Sequence, residues 1–119
     1  MSVVDSMVID GIALTEDKNG IVLLITDHLD WSEEYQHLMI LQEKINMYLG
    51  YLEEKQYGDM YKEETITYGI IEIHFLYSLT DNAEKFLQAV QNQVAQHGIR
   101  IQYYVSELSL IHISEPTRL

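Results

Sequence analysis

The spacing of hydrophobic residues changes several times along the chain, and each change marks a predicted element. Apolar residues alternate with polar or small ones near the start, so residues 1–14 are predicted to form a first strand. Asn19-Gly20 is a favoured turn pair, and the wholly apolar residues 21–25 follow it. We therefore predict a β-hairpin whose second strand lies inside the sheet, because that strand is apolar on both faces.

A long helix is predicted from about Trp31 to Gln56, where the apolar spacing changes to three and four residues. Polar residues, Lys44 among them, are expected on the side that faces solvent. The apolar stripe of this helix is predicted to consist of Tyr35, Leu38, Leu41, Ile45, Tyr48, Leu49 and Leu52.

Two short patterns predict where the helices begin. Asp30 and Glu33 stand three residues apart before the first helix, and Asp81 and Glu84 do so before the second. In such a capping box, the first carboxylate accepts hydrogen bonds from free amides of the first turn and the second reaches back. We predict both helices to be capped in this way, with Trp31 packed at the corner between strand and helix.

The second half of the chain predicts a strand, a helix and another strand. Alternation over residues 65–79 predicts a strand with Ile71, Ile73, Phe75 and Tyr77 facing the core. A helix follows and ends at Gly98, and residues 99–105 alternate again as a fourth strand. The apolar stripe of this helix is predicted to be Ala83, Phe86, Leu87, Val90 and Val94.

The order of these elements is β-β-α-β-α-β, which predicts an α+β fold. We expect a two-layer sandwich in which a four-stranded mixed sheet carries both helices on one face. The third strand, second helix and fourth strand are expected to form a parallel, right-handed unit. Residues 1–107 are predicted to form this single domain.

Composition narrows the possible partners and the compartment. Seven basic residues against nineteen acidic ones give a formal net charge of −12, which disfavours nucleic acids and anionic membranes as partners. The chain has no cysteine, and no stretch of it predicts a signal peptide or a membrane span. We expect a cytoplasmic protein.

Two blocks carry a resemblance to a known family. They are Asp27-His28-Leu29-Asp30-Trp31 and Leu41-Gln42-Glu43-Lys44-Ile45-Asn46. In this order and at this distance they are similar to a family of small uncharacterised bacterial proteins, a domain of unknown function. The resemblance covers most of residues 1–107, implies a small single-domain bacterial protein, and brings no activity and no catalytic residues.

The last residues are of a different kind. The stretch from Leu108 to Arg118 resembles the translation of a sequencing adapter. Residues 108–119 are therefore expected to be a non-native tail and are excluded from the fold prediction.

The junction after the second strand holds a candidate polar site. Asp27, His28, Asp30 and His37 combine carboxylates with imidazoles, which are groups that bind divalent metals or exchange protons. Their spacing matches no metal motif, so no metal and no other cofactor is predicted. The alternative is that these residues cap the helix and pack the corner, and this alternative is favoured.

A second pair of titratable residues lies on the third strand. Glu72 and His74 are two residues apart and so share a face, where a carboxylate can assist proton transfer by an imidazole. Together with Asp27 and His28 they support one functional hypothesis, a small-molecule-binding or hydrolytic domain. The favoured interpretation is an ordinary surface pair.

The face of the sheet that two helices leave uncovered is the predicted interaction surface. Nine tyrosines against two phenylalanines fit such a role, since tyrosine is common at protein interfaces. We predict a non-catalytic protein-interaction module, antidote-like or self-associating, whose partner is another protein or a second copy of the chain. The residues predicted on this surface are Tyr68, Ile70, Glu72, His74, Leu76 and Tyr104.

Overall fold

A four-stranded sheet with two helices forms the protein, in a computed structural model that describes residues 2–61 and 65–106. The predicted tail, residues 108–119, lies outside the described residues. Short 3-10 turns follow the helices at Gln56–Asp59 and Ala95–His97. The elements are β1 (Gly11–Leu14), β2 (Gly20–Asp27), α1 (Glu34–Glu53), β3 (Tyr68–Phe75), α2 (Asp81–Val94) and β4 (Ile99–Val105).

The strands lie in the order β1-β2-β3-β4, with β1 antiparallel to β2 and the other three strands parallel. The connections from β2 to β3 and from β3 to β4 each lead to the adjacent strand, in the same direction across the sheet. Right-handed crossovers of this kind put both helices on the same face. The buried side chains of both helices indeed belong to one core. The predicted α+β fold with a mixed sheet and two helices is confirmed.

The core face of the sheet follows from strand register. Leu23 and Ile25 of β2 pair with Ile71 and Ile73 of β3, and all four are completely buried beneath the helices. Phe75 is buried beside them, so the predicted core face of β3 is confirmed. The prediction for Tyr77 was wrong, because β3 ends at Phe75 and the Tyr77 side chain is exposed.

The first strand is shorter than predicted, because side chains replace its backbone hydrogen bonds. On the amino-terminal side of Gly11, the Tyr48 hydroxyl takes over from backbone pairing. It donates to the Leu24 carbonyl at 2.5 Å and accepts from the Asp10 amide at 2.8 Å. The Asp10 carboxylate accepts from the Thr26 amide at 3.0 Å. These bonds satisfy the edge of β2, so residues 2–10 need not continue the strand, and the predicted strand over them was wrong.

The buried side of α1 is rotated from the predicted stripe. Tyr35, predicted to be buried, is 77% exposed, whereas Lys44, predicted to face solvent, is completely buried. The Lys44 ammonium donates to the carbonyls of Asp5 at 2.5 Å and Val8 at 2.6 Å, and to Asp10. The segment before β1 therefore folds over α1 and covers this side chain. The buried residues of α1 are His37, Leu41, Lys44, Ile45, Tyr48 and Leu52.

Neither predicted capping box forms. The N-cap of α1 is Glu33, without a side-chain bond, while the Asp30 carboxylate accepts from the Ser32 amide at 3.1 Å in the preceding turn. At α2 the N-cap is Thr80, whose hydroxyl accepts from the Ala83 amide at 3.1 Å. A hydroxyl one residue before Asp81 reaches the third helical amide directly, so the helix is capped from that position.

Helix α2 also covers the free edge of β4. The Gln91 side chain accepts from the Ile101 amide at 2.7 Å and donates to the Ile99 carbonyl at 3.4 Å. Its amide group thus takes the place of a neighbouring strand, which protects an edge that would otherwise pair with other chains. The predicted stripe of α2 is confirmed, with its members buried or packed against the core.

Candidate functional site

The face of the sheet opposite the helices is the candidate interaction surface, here called the open face. Residues that alternate with the core positions point to it, and register places them side by side across the four strands. Within the described part of the chain, both helices pack on the other face. The open face consists of Gly11, Ala13, Val22, Leu24, Thr26, Tyr68, Ile70, Glu72, His74, Arg100, Gln102 and Tyr104.

One part of this face, the apolar half, is made of small and aliphatic residues. Ala13 lies opposite Val22, which lies opposite Ile70. Gly11 lies opposite Leu24, where an added Cβ would come within 3.3 Å of the leucine side chain. Ile70 is only 8% exposed, because these neighbours and the adjacent strand crowd around it. We define the apolar half as Gly11, Ala13, Val22, Leu24 and Ile70.

The rest, the polar half, is defined as Glu72, His74, Arg100, Gln102 and Tyr104. The predicted pair is in contact, with His74 Nε2 2.6 Å from Glu72 Oε2 and with side chains 45% and 28% exposed. The Tyr104 ring lies beside the imidazole, with centroids 5.2 Å apart. A pair this exposed contributes well under about 1 kcal/mol to stability, so it is an ordinary surface contact.

Two residues predicted on the interaction surface have other positions or roles. The Tyr68 ring packs over Gly20, where an added Cβ would collide with it, and its hydroxyl donates to Asp17 at 3.0 Å. Tyr68 therefore fastens the loop of the β1–β2 hairpin. Leu76 follows the end of β3, and its amide donates to the Asp27 carbonyl. Tyr68 thus lies on the open face with its hydroxyl bonded to the hairpin loop, and the exposed Leu76 lies just beyond the end of β3.

Sequence reasoning missed the neighbouring strands of the open face. Val22 and Leu24 are half-buried there, and Ala13 is exposed. The apolar run of β2 predicted a strand in the interior of the sheet, but it did not show which residues point to which face. Only the pairing of Leu24 with Glu72 and of Val22 with Ile70 decides this.

The polar residues of the β2–α1 junction form a buried cluster on the helix side. His37 Nε2 lies 2.6 Å from Asp27 Oδ2, and both side chains are buried. His37 Nδ1 lies 2.9 Å from the Asp30 carbonyl oxygen and donates a hydrogen bond to it. The Trp31 ring stacks on the imidazole, with centroids 3.7 Å apart. Both ring nitrogens are engaged, which leaves neither free to act on a substrate or bind a metal.

The four residues of the predicted polar site are only partly brought together. Asp27 and His37 are in contact, but His28 is exposed and the Asp30 carboxylate is bonded to Ser32. Hydrogen bonds from Ser32 lower the pKa of Asp30. Among the described residues, no three His, Asp or Glu side chains are grouped so as to hold a metal ion. The cluster packs the corner between β2 and α1, whereas the helix capping that the favoured interpretation also included does not form.

The hydrolytic hypothesis required Asp27 and His28 to meet Glu72 and His74. Asp27 lies on the helix side of the sheet, whereas Glu72 and His74 lie on the open face. Two cavities of about 340 and 350 Å³ lie near the amino ends of β3 and β4. None of these four residues lines either cavity. The structure therefore does not assemble them into one site.

No helix within residues 2–61 and 65–106 has the length and apolar character needed to span a membrane.

Comparison with known proteins supplies a family but no activity. Searches of the curated proteins and of the solved structures found no match. Residues 1–107 match the Family of unknown function (DUF6572), and the chain belongs to that family.

Proposed function

We propose that this protein is a non-catalytic protein-interaction module and that the open face is its contact surface. The observation that carries the proposal is the apolar half, in which Val22, Leu24 and Ile70 lie side by side on a face that neither helix covers. Polar residues border it on β3 and β4. Apolar patches rimmed by polar groups usually mark binding sites in globular proteins.

The chemistry of the titratable groups supports a non-catalytic role. The buried pair of Asp27 and His37 is covered by Trp31, and both imidazole nitrogens are used in hydrogen bonds. The exposed pair of Glu72 and His74 does not line either of the two cavities near the amino ends of β3 and β4. The alternative, a small-molecule-binding or hydrolytic domain, has less support because its four residues lie on both sides of the sheet.

The charge of the open face favours a second copy of the chain or a neutral protein over a basic partner. Its polar half contains one acid, Glu72, beside Arg100 and His74, so this face does not share the strong acidity of the chain. An antidote to a basic toxin would need acidic groups at the contact. Self-association or a neutral partner fits better. We place the protein in the cytoplasm, where a chain without cysteine is at no disadvantage.

Site-specific photo-crosslinking in living cells tests the proposal. A photoreactive amino acid replaces Gln102, which lies within the open face, and in a matched variant it replaces Gln88, which is exposed on α2. We expect covalent adducts with protein from position 102 and none from position 88. Absence of adducts from position 102, or equal adducts from both positions, would overturn the proposal.

A further inference from the structure

We infer that the partner on the open face is a second copy of the chain, with the apolar halves of the two copies facing each other. This inference rests on the proposed function and names its partner. It predicts a symmetric dimer in which two sheets pack face to face, with Gly11, Ala13, Val22, Leu24 and Ile70 at the centre.

The shape of the apolar half suits another sheet. Face-to-face sheets pack about 10 Å apart, so the side chains between them must be short and must interdigitate. Gly11 and Ala13 give β1 no side chain or a short one on this face, while β2 and β3 carry the larger side chains of Val22, Leu24 and Ile70. A second copy related by a twofold axis can place its β2 and β3 side chains over Gly11 and Ala13 of the first copy.

The charge distribution also favours a second copy at this position. The chain has a formal net charge of −12, so two copies repel each other over most of their surface. The apolar half contains no ionisable side chain. In the polar half, Glu72 stands with Arg100 and His74, and a twofold axis can bring the acid of one copy near the bases of the other. Repulsion between copies at the open face is therefore weaker than the net charge alone would give.

The area of the open face sets the expected affinity of the dimer. The four strands have four, eight, eight and seven residues. At about 3.3 Å per residue and about 4.8 Å between strands, they give a footprint of roughly 430 Å² per copy. The total of roughly 860 Å² lies in the range of weak, transient interfaces. We therefore expect a reversible, concentration-dependent dimer with a dissociation constant on the order of tens of micromolar rather than a permanent one.

Sedimentation velocity of the full chain tests this inference. We expect monomer at low micromolar concentration and dimer as the concentration rises. Ala13→Glu places a charge in the apolar half and should weaken the dimer by about tenfold or more. Ala89→Glu adds the same charge at an exposed position of α2 and should leave the dimer unchanged. Both positions are exposed, so both variants should fold, which thermal melts check.

A variant that lacks residues 108–119 should dimerise as the full chain does. Loss of the dimer in that variant would show that the tail causes association, and equal weakening by Ala13→Glu and Ala89→Glu would show a general charge effect. Either result overturns the inference, as does a chain that stays monomeric at every concentration. If that monomer still gives adducts with another protein from position 102, the proposed function stands and only its partner is wrong.

Discussion

Lys44 Nζ lies 3.0 Å from Asp10 Oδ1, and both side chains are buried. This ion pair joins the middle of α1 to the segment before β1. The Tyr48 hydroxyl, one helical turn along from Lys44, links the Asp10 amide to the Leu24 carbonyl of β2. A small polar network thus ends the sheet at Gly11 and holds the amino-terminal segment against the core.

The first prediction concerns the charge of this network. Lys44→Met keeps the length of the side chain but leaves the buried Asp10 carboxylate without its cation, so the free energy of unfolding should fall by about 3–5 kcal/mol. Urea denaturation measures it. Lys85→Met, at an exposed position of α2, should change it by less than about 0.5 kcal/mol.

The double variant Lys44→Met with Asp10→Asn should recover part of the loss, because no isolated charge then remains buried. The ion-pair explanation fails if Lys44→Met is no more costly than Lys85→Met.

The second prediction is a loss of stability at alkaline pH. Burial raises the pKa of Tyr48 well above its ordinary value of 10.0, and burial also raises the pKa values of Tyr51 and Tyr57. Above pH 10 the unfolded chain loses these protons while the folded chain keeps them. The folded state then binds more protons, so the free energy of unfolding must fall as pH rises from 10.

Tyr48→Phe should flatten this alkaline dependence and cost about 1–3 kcal/mol at neutral pH, because the Leu24 carbonyl and the Asp10 amide lose their partner. Tyr35→Phe, at an exposed position, is the control and should leave the pH profile unchanged. An unaltered profile in Tyr48→Phe would contradict the assignment.

The third prediction separates the observed helix cap from the one that the sequence pattern favours. Thr80→Ala removes the hydroxyl that accepts from Ala83 and should destabilise the protein by about 0.5–2 kcal/mol, whereas Thr80→Ser should keep the cap. Asp30→Ala affects only a turn before α1 and should cost less than Thr80→Ala. Thermal unfolding of the three variants gives the order, and the reverse order would favour the capping box at Asp30.

Much of the fold could be predicted from the sequence, because it depends on local periodicity. The bounds of β4 and the core face of β3, with Ile71, Ile73 and Phe75, follow from strict alternation. The buried side of α1 could not be predicted from the sequence, because apolar residues occur on most sides of that helix. Lys44 is buried by carbonyls more than thirty residues away in the chain, a contact that helix periodicity does not contain.

The candidate site was predicted in part for a similar reason. Alternation along β3 assigned Ile70, Glu72 and His74 to the same face without any knowledge of neighbours. Val22 and Leu24 required the register of β2 with β3, which the pattern of one strand does not specify. The contact of His37 with Asp27 requires the loop between them to turn back, so spacing alone did not reveal it.

The fourth prediction concerns metal ions. Asp27 and His37 already satisfy each other, and Asp30 is bonded to Ser32, so zinc or manganese should not raise the melting temperature. Thermal unfolding with increasing metal concentration measures this directly. A rise that grows with the logarithm of the concentration would show a bound ion, by linkage, and would contradict the interpretation of this cluster as corner packing.

The most direct test of the central claim, that a second copy covers the open face, is methyl NMR with a soluble gadolinium chelate as a surface probe. At low protein concentration the probe should enhance relaxation of the Val22 and Leu24 methyl groups, which are half-buried, and of Met39, which is exposed on α1. As the concentration rises, the enhancement at Val22 and Leu24 should fall while that at Met39 stays constant. Enhancement at Val22 and Leu24 that stays constant over the whole concentration range, as at Met39, would contradict the claim.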